Sequence, residues 1–256
     1  MTAGPNTLNN AGGRQLTYGE QEVPLLAGML AYVSLGRDNI YSYLLSALQA
    51  TLDFGLGVVL GSDGGVRLPF ANIASLVFSG DFVTSNVINL KVNGVAISPV
   101  TFNTDSDTTL GLLADAIAAM DGVDSAVADP SSHSILVTMD EIAVAITNIA
   151  VTLGSGQVTG AATYSSADQY VGQPVRDPLR VSGDGFEQSV EIAVARNTAG
   201  VVVLLSADVT KGEAAYLDIS EPGRYTNVAA GNIPVKGQFN TDGVEDDLAV
   251  VIINQP

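Results

Sequence analysis

The chain contains no cysteine and no tryptophan in its 256 residues. The absence of cysteine excludes disulfides, thiolate zinc sites and a cysteine nucleophile, while a cysteine-free chain tolerates both reducing and oxidising compartments. Glycoside hydrolases need two acidic side chains at the scissile bond, and any two acids of the chain could meet in the fold. Such enzymes usually line their grooves with tryptophan and tyrosine, so the absence of tryptophan weighs against that class.

Basic residues are scarce. Ten Lys and Arg stand against 27 Asp and Glu, which gives a net charge of −17 at pH 7 and a pI near 4.1. Binding to nucleic acid or to an anionic membrane surface depends on clusters of Lys and Arg, and this sequence has none. We therefore expect neither nucleic acid nor a membrane as a partner.

Long apolar runs are also missing. The nearest candidate, residues 44–59, is interrupted by Gln49 and Asp53 and falls short of the roughly 18 apolar residues of a membrane helix. Residues 1–6 show no basic region followed by an apolar core, so we expect no secretory signal. The sequence favours a protein made in the cytoplasm and kept there unless something else carries it out.

Apolar residues are nevertheless abundant. Hydrophobic residues make up 46% of the chain and charged residues 14%, with a mean hydropathy of +0.31. A lone monomer has too few charged side chains to cover so much apolar surface. Burial against another subunit or a partner protein is the natural outcome.

The last third of the chain predicts a β-sheet. Apolar residues alternate in residues 189–197, 214–219 and 233–239, and continuous apolar runs occupy residues 201–205 and 248–253. Alternation places side chains on the two faces of a strand, and short unbroken runs suit strands covered on both faces. Segments with turn chemistry separate these strands at residues 197–200, 220–223 and 240–243. Short strands at this spacing are typical of an antiparallel sandwich or barrel.

The first part of the chain begins with a polar segment, residues 1–22, which buries too little apolar surface to become ordered alone. It is either a disordered tail or an extended arm that becomes ordered on a neighbouring subunit. Residues 25–33 are predicted as the first strand, because Pro24 and Gly28 argue against a helix interior. Further strands are predicted at residues 40–46, 54–60 and 66–69.

Residues 76–163 have a different composition, with one base, Lys91, against nine acids. Asn93-Gly94 lies between the apolar runs 87–92 and 95–102 and is a strong hairpin signal. Asp105-Ser106-Asp107 offers N-cap oxygens to a helix predicted over residues 108–120. Further strands are predicted at residues 123–128, 134–139 and within 143–153, and a flexible exit at residues 154–162.

These patterns predict a mainly β protein with a small α+β (ββαββ) domain inserted into a loop of the larger body. The predicted divisions are an arm (residues 1–22), a jelly-roll-like or β-barrel body (23–75 plus 164–256) and the inserted domain (76–163). The alternative is three consecutive small domains.

No group of residues stands out as an active site. The only histidine, His133, lies in a Ser-Ser-His-Ser turn and is expected to be exposed, because a catalytic histidine needs an orienting carboxylate and a cleft. The acids at residues 105–107 fit a helix cap, and those at 242–247 lack the spacing of an EF-hand loop, so solvated turns are expected rather than a structural cation. Gly-rich turns at residues 61–65 and 183–185 precede no helix and are poor phosphate sites. We expect no enzymatic activity, no cofactor and no metal.

Several short motifs resemble a known family. They are Val-Pro-Leu-Leu-Ala-Gly-Met-Leu-Ala at residues 23–31, Phe-Gly-Leu-Gly-Val-Val at 54–59, Gly-Glu-Ala-Ala-Tyr at 212–216, Gly-Gln-Phe at 237–239 and Asp-Leu-Ala-Val-Val at 247–251. Together they resemble the structural cement (head decoration) proteins of tailed bacteriophages, over about residues 20–75 and 165–256. The segment at residues 89–119 is similar to a small domain found in several phage virion proteins.

The chain departs from the family pattern at two places: Leu26-Ala27 replaces the Pro expected before Gly28, and Ala215 replaces the Val expected before Tyr216. The resemblance implies a β-barrel or jelly-roll-like body, assembly as a homotrimer at quasi-threefold positions of a capsid, and contact with the major capsid protein. It implies no enzymatic activity.

On this basis we expect a capsid cement or decoration protein on the virion exterior, made in the host bacterial cytoplasm, which binds the outer surface of the major capsid protein lattice and stabilises the expanded head. The alternatives are another phage virion component, such as a tail tube or spike protein, and a carbohydrate-binding β protein. The residues expected to face neighbours are Leu8, Leu16 and Tyr18 in the arm and Leu25, Leu26 and Met29 in the first predicted strand.

Overall fold

The computed structural model describes residues 28, 39–47, 49–139, 143–152, 158–175, 185–187 and 191–254. Within these residues the protein is mainly β, with one α-helix, as the sequence predicted. The first strands are β1 (Asn39–Leu44), β2 (Thr51–Asp53), β3 (Val58–Leu60) and β4 (Val66–Arg67). The middle elements are β5 (Ile73–Phe78), β6 (Val87–Val92), β7 (Val95–Ala96), β8 (Val100–Thr101), α1 (Ser106–Ala118), β9 (Val123–Asp129), a 3₁₀ turn (Pro130–Ser132), β10 (Ser134–Met139), β11 (Ile146–Thr152) and β12 (Gly160–Ser165). The last strands are β13 (Tyr170–Pro174), β14 (Gly185–Glu187), β15 (Glu191–Leu204), β16 (Ala214–Leu217), β17 (Tyr225–Thr226), β18 (Ile233–Phe239) and β19 (Leu248–Asn254).

The body is organised around one curled sheet that forms a half-barrel. Its strand order in the described residues is β17-β16-β18-β19-β15-β13-β3-β4, with β1 also paired to β15. Strands β1, β3 and β4 precede the middle segment, and β13 and β15 to β19 follow it, so this sheet is built from two separate parts of the chain. β2 and β14 form a separate two-stranded pair.

Strand β15 corrects one prediction. The sequence predicted two strands separated by a turn at residues 197–200, but β15 is a single strand of 14 residues with an irregularity between Thr198 and Val201. Its first half pairs with β1 and β13, and its second half pairs with β19. Because partners hold the chain on both sides of the irregularity, the turn residues produce a bulge rather than a reversal.

The body sheet is buried on both faces. The buried apolar side chains of the body form two separate clusters. Adjacent residues on one strand belong to different clusters: Val59 and Tyr170 pack in the first, and Val58 and Val171 pack in the second. Successive side chains of a strand point to opposite faces, so the clusters lie on opposite sides of the sheet. The first cluster is centred on the β15, β18 and β19 side chains and includes Phe239, which is fully buried.

The middle segment forms two four-stranded sheets, ordered β12-β5-β10-β9 and β11-β6-β7 with β8 also on β6. Helix α1 contributes the fully buried Leu113 and Ile117 to their shared core. The helix begins two residues before its predicted start, and the predicted N-cap is confirmed, because Asp105 Oδ1 accepts a hydrogen bond of 2.7 Å from the Thr108 N–H.

Two predictions in this segment are wrong. Residues 95–102 form two short strands rather than one, both paired to β6, because Pro99 between them has no N–H for the ladder. Residues 160–162 of the predicted flexible exit open β12, which pairs with β5. A Cβ at Gly160 would lie 2.4 Å from Ile149 Cγ2, so this glycine serves close packing.

The middle segment and the body are joined by two connections that meet in a buried ion pair. Arg67 donates to both carboxylate oxygens of Asp168 at 2.9 and 3.0 Å, and both side chains are about 95% buried. The Asn72 side chain accepts from the Ala167 N–H at 2.8 Å. The sheets of the middle segment run from Ile73 to Ser165, and its status as an inserted domain with bounds 76–163 stays a prediction.

Candidate interaction surface

The six residues predicted to face neighbours, Leu8, Leu16, Tyr18, Leu25, Leu26 and Met29, lie outside the described residues. The same is true of the predicted first strand, except for Gly28. The Gly28 N–H donates to Val202 O of β15 at 2.9 Å, and the residue has a φ of 74°. A Cβ at this position would lie 3.3 Å from Pro174 O and 3.4 Å from Phe54, in a backbone conformation that favours glycine.

The other family-like motifs meet in the body. The Gly212 N–H donates to Phe239 O at 2.8 Å, and the Phe239 N–H donates to Glu213 O at 2.9 Å. Gly237 pairs with Ile253 in the β18–β19 ladder, and a Cβ at Gly237 would lie 2.3 Å from Ile252 O. These motifs therefore specify sheet contacts rather than a chemical site.

His133 and the serines beside it, which were examined as possible catalytic residues, lie in and beside a turn. His133 Nε2 lies 2.8 Å from Asp81 Oδ1, and both side chains are substantially exposed. The neighbouring Ser132 hydroxyl donates to Asp129, and this carboxylate also accepts from Ser131. Among the described residues, no three His, Asp or Glu side chains are grouped to hold a metal ion.

Strand β1 is an uncharged edge of the body with large apolar side chains in solvent. Ile40 and Tyr41 are each 47% exposed and Leu44 is 60% exposed. Within the described part of the chain, β1 pairs with β15 alone. An exposed apolar edge strand is a template for association with another chain, and nothing in the sequence of β1 blocks it with Lys or Pro.

The register of β1 on β15 divides its side chains between two faces. Tyr41 and Tyr43 lie opposite Val194 and Ile192, whereas Ile40 and Leu44 lie opposite Ala195 and Glu191. Opposite residues share a face of the sheet, so the tyrosines lie on one face and Ile40, Ser42 and Leu44 on the other. We call the latter the Ile40–Leu44 face.

Asp63 holds the end of β1 in place. Its carboxylate accepts hydrogen bonds of 2.9 Å from the Ala47 N–H, the Gly65 N–H and the Ser46 hydroxyl. The backbone donors of Ala47 and Gly65 have the largest effect and lower the pKa of Asp63 below its usual 3.8. The Gly-rich turn at residues 61–65, considered above as a phosphate site, therefore positions the edge strand.

Beside the tyrosine face, Arg196 lines two pockets of about 360 and 450 Å³ that share the wall Asp168–Tyr170. Lys236 lines the first pocket, and Tyr43 and the half-exposed Leu60 line the second. The guanidinium carbon of Arg196 lies 5.5 Å from the ring centroid of Tyr41, within cation–π range. We call the surface formed by Tyr41, Tyr43, Leu60, Arg196 and Lys236 the Arg196 surface.

The Arg196 surface is positively charged on a protein of net charge −17. The carboxylate of Asp168 in the shared wall is neutralised by Arg67. Neither Arg196 nor Lys236 forms an ion pair with a described residue, and Arg196 Nε is buried there without a hydrogen-bond partner. Two cationic side chains that form no ion pair within the described residues make this surface complementary to an anionic group.

A larger pocket of about 730 Å³ lies between the body and the middle segment. Its polar groups already have partners within the chain. Asp218 accepts from Ser206 and Ser220, the Tyr164 hydroxyl pairs with Ile146, and Asn232 pairs with the backbone. The Asp218 carboxylate is held by hydrogen bonds within the chain, and no Lys, Arg or His among the described residues lines this pocket.

No protein-family model and no curated protein matches the chain. A solved structure from Mycobacterium phage Patience is similar, with a TM-score of 0.35 and 12% sequence identity. The match covers 89% of this chain and 96% of that one. A likeness at this level assigns neither a family nor a function. None of the helical segments in the described residues has the length and apolar character needed to cross a bilayer.

Sequence reasoning missed the Arg196 surface. The uncharged run Ile40–Leu44 was visible, but its exposure on both faces depends on its position at the edge of the sheet. No sequence pattern near Arg196 marks it as part of a surface site, because the two pockets that it lines are formed by residues in or beside β1, β3, β13, β15 and β18.

Proposed function

We propose that this protein is a structural component of a bacteriophage virion. It acts as a capsid cement protein that binds the outer surface of the major capsid protein lattice as a homotrimer and stabilises the expanded head. The observation that carries the proposal is the exposed, uncharged edge strand β1, whose two faces present large apolar side chains. Such a strand serves association with protein rather than chemistry on a small molecule.

Composition and residue type support a role in assembly. Tyr and Arg are enriched in the centres of protein interfaces, and the Arg196 surface combines both with the apolar Leu60. The remaining charge is strongly acidic, which suits a surface that faces solvent on the outside of a particle.

The family-like motifs give a second line of support. Gly28 and the Phe54 motif contact one another beside β15, and the motifs at residues 212–216 and 237–239 bond to each other. The features that resemble cement proteins thus form the sheet that carries β1, rather than being scattered over the molecule.

Cement of this kind would act by mass action. A ligand that binds only the assembled shell stabilises it by RT ln(1 + [L]/Kd) at each site, which is about 2.7 kcal/mol when the free protein is a hundredfold above Kd. Summed over the many sites of a shell, this contribution opposes the pressure of packaged DNA.

The test is binding of the purified protein to empty expanded capsids, followed by co-sedimentation and by the temperature at which the shells rupture. We expect saturable binding at micromolar concentration and a higher rupture temperature. Absence of binding would reject the cement role, and labelling of the tail instead of the head in electron microscopy would favour a tail component.

The Ile40–Leu44 face provides the decisive variant. Ile40→Ser with Leu44→Ser removes two exposed apolar side chains and should weaken capsid binding at least about tenfold. The matched control is Val127→Ser with Leu136→Ser, a similarly exposed apolar pair in the middle segment. Equal binding by both variants would show that β1 is not part of the capsid contact.

The predicted arm is tested separately. Deletion of residues 1–20 should weaken capsid binding while the unfolding transition of the body stays unchanged. If the truncated protein binds as tightly as the full chain, the arm has no part in attachment.

A further inference from the structure

We propose that the Arg196 surface of one copy receives the loop Asp242–Asp247 of a second copy, so that Glu245 places its carboxylate between Arg196 and Lys236. The copies then associate head to tail. This inference rests on the self-association in the proposed function and identifies the two surfaces that meet.

The receiving side has what a carboxylate requires. Arg196 and Lys236 line one pocket and form no ion pair with a described residue, and the acid of that pocket, Asp168, is paired with Arg67. Arginine pairs with carboxylates through well-directed hydrogen bonds, which are stronger than those between neutral groups. The neighbouring Tyr41, Tyr43 and Leu60 offer apolar contact to a side chain that lies next to the carboxylate.

The loop that enters is exposed and held in shape. It presents Val244, which is 58% exposed, next to the exposed Glu245. Its backbone is fixed by the Glu245 N–H, which donates to Asp208 Oδ1 at 2.9 Å, and by the bridge between Val209 and Gly243. A fixed loop loses little conformational entropy on binding.

Glu245 is the loop carboxylate that remains available. Asp242 accepts from the Lys211 N–H, Asp246 pairs with Arg224, and Asp247 accepts from the Leu248 N–H. The Glu245 carboxylate forms no hydrogen bond or ion pair with a described residue, although after Asp246 and Glu221 its charge helps to raise the pKa of Arg224. The loop therefore offers one apolar side chain and one carboxylate outside any ion pair, which complements the Arg196 surface in both respects.

The two surfaces lie at opposite ends of the same strands. Leu248 follows the loop directly, whereas Asn254 at the far end of β19 pairs with Asn197, next to Arg196. Seven residues of strand separate the ends by roughly 20 Å, so the loop cannot reach the pocket of its own copy. Two different patches that complement each other across copies make a heterologous interface, which closes into a ring when the rotation between copies allows it.

The experiment is sedimentation velocity on the full chain and on two double variants. The pocket variant is Arg196→Ala with Lys236→Ala, and the loop variant is Val244→Ser with Glu245→Gln. Each should weaken self-association at least roughly thirtyfold and sediment as a monomer where the native protein is a trimer. The loop variant changes only exposed side chains, so it tests the inference even if the pocket variant does not fold.

A mixing experiment tests the head-to-tail arrangement. The pocket variant keeps an intact loop and the loop variant keeps an intact pocket, so an equimolar mixture contains one functional interface per pair. The expected product is a species of two chains and no larger one. A mixture that stays monomeric, or that restores the trimer, would overturn the arrangement.

Matched controls separate a specific contact from a general change in charge. Lys91→Ala removes a positive charge in the middle segment, and Val127→Ser with Asp124→Asn alters an exposed apolar and acidic pair in the same segment. Both controls should keep the native mass. Monomeric controls, a monomeric native protein, or a pocket or loop variant with native mass would each overturn the inference.

Capsid binding distinguishes this inference from the proposed function. If the pocket variant keeps its native mass but loses capsid binding, the Arg196 surface belongs to the lattice contact, and the inference fails while the cement role stands. If the variants lose self-association while the native protein ignores capsids, the inference stands and the cement role fails.

Discussion

The middle segment and the body are both built from short antiparallel strands, but they differ in how far apart along the chain their partners lie. The middle segment pairs β6 with β7 across the two-residue Asn93-Gly94 turn, and its helix is capped by Asp105 three residues away. The body pairs β1 with β15 and β3 with β13, which lie more than a hundred residues apart in the chain.

This difference has a consequence for stability and for function. The strands of the middle segment pair with one another and its helix packs on them, so its core is formed by its own residues. The body leaves strand β1 attached along one edge among the described residues, with apolar side chains in solvent. Exposed apolar side chains occur in both regions, such as Val127 and Leu136 in the middle segment and Ile40 and Leu44 in the body. In the body they lie on a strand whose partner is more than a hundred residues away in the chain.

The largest effect is expected from core truncation in either region. Phe239→Ala in the body should cost about 3–5 kcal/mol, and Leu113→Ala in helix α1 about 2–5 kcal/mol, because both side chains are fully buried. Urea unfolding followed by calorimetry measures both. If the regions unfold independently, each variant shifts only its own transition, whereas one common transition moved by both variants would contradict independence.

The connection between the regions should be nearly as sensitive. Arg67→Ala leaves the buried carboxylate of Asp168 without its main partner and should cost about 3 kcal/mol. The control is Arg224→Ala, since the ion pairs of Arg224 with Glu221 and Asp246 are more exposed and should contribute about 1 kcal/mol or less. Equal losses in the two variants by urea unfolding would show that burial of Arg67 is unimportant.

A smaller effect is expected at the helix N-terminus of the middle segment. Asp105→Ala removes the acceptor of the Thr108 N–H and should cost about 1 kcal/mol. Asp105→Asn keeps an acceptor and serves as the control, with most of the stability retained. The loss should appear in the transition of the middle segment, and a shift in the transition of the body instead would contradict local capping.

Acid should destabilise both regions through carboxylates that accept hydrogen bonds. The Thr108 N–H lowers the pKa of Asp105. At Asp218 burial is the largest influence and opposes ionisation, but hydrogen bonds from Ser220 and Ser206 together outweigh it and lower the pKa. Because these folded-state pKa values lie below the unfolded ones, their stabilisation is complete above about pH 5 and is lost as the pH falls toward about pH 1.

The smallest effect at neutral pH is therefore expected for Asp218→Asn, below about 1 kcal/mol, because the amide oxygen still accepts a hydrogen bond. Its signature is a shallower fall of the unfolding free energy of the body between about pH 5 and about pH 2. Urea titrations at several pH values measure the slope. A slope equal to that of the native protein would show that Asp218 does not contribute to acid sensitivity.

The sequence predicted most of the strands and the helix, because these depend on periodicity and on local turn and cap residues. Strands β6, β10 and β18 were predicted with their observed bounds, and α1 was shifted by two residues. The error at residues 197–200 arose because Asn, Thr and Gly favour a turn only when no partner strand holds the chain straight. The outcome there was set by β1, β13 and β19, which a local pattern does not contain.

The candidate site was less accessible to sequence reasoning. The predicted interface residues lie outside the described residues and stay a prediction. The surplus of apolar side chains was predicted from composition, and Ile40 and Leu44 are exposed in the described structure, while a partner for them stays a prediction. Arg196 was not singled out, because an isolated arginine gives no sign of whether an acid lies beside it.

The β character, the local hairpin and cap of the middle segment, the lack of positive clusters and the surplus of apolar residues could all be predicted from the sequence. These properties follow from residue type and from spacing within a few positions. The position of β1 at an edge, the pairing of Asp168 with Arg67, and the shared pocket of Arg196 and Lys236, whose acid Asp168 is already paired, depend on the tertiary structure. Exposure and charge balance are properties of neighbours in space, and in this protein those neighbours come from strands far apart in the chain.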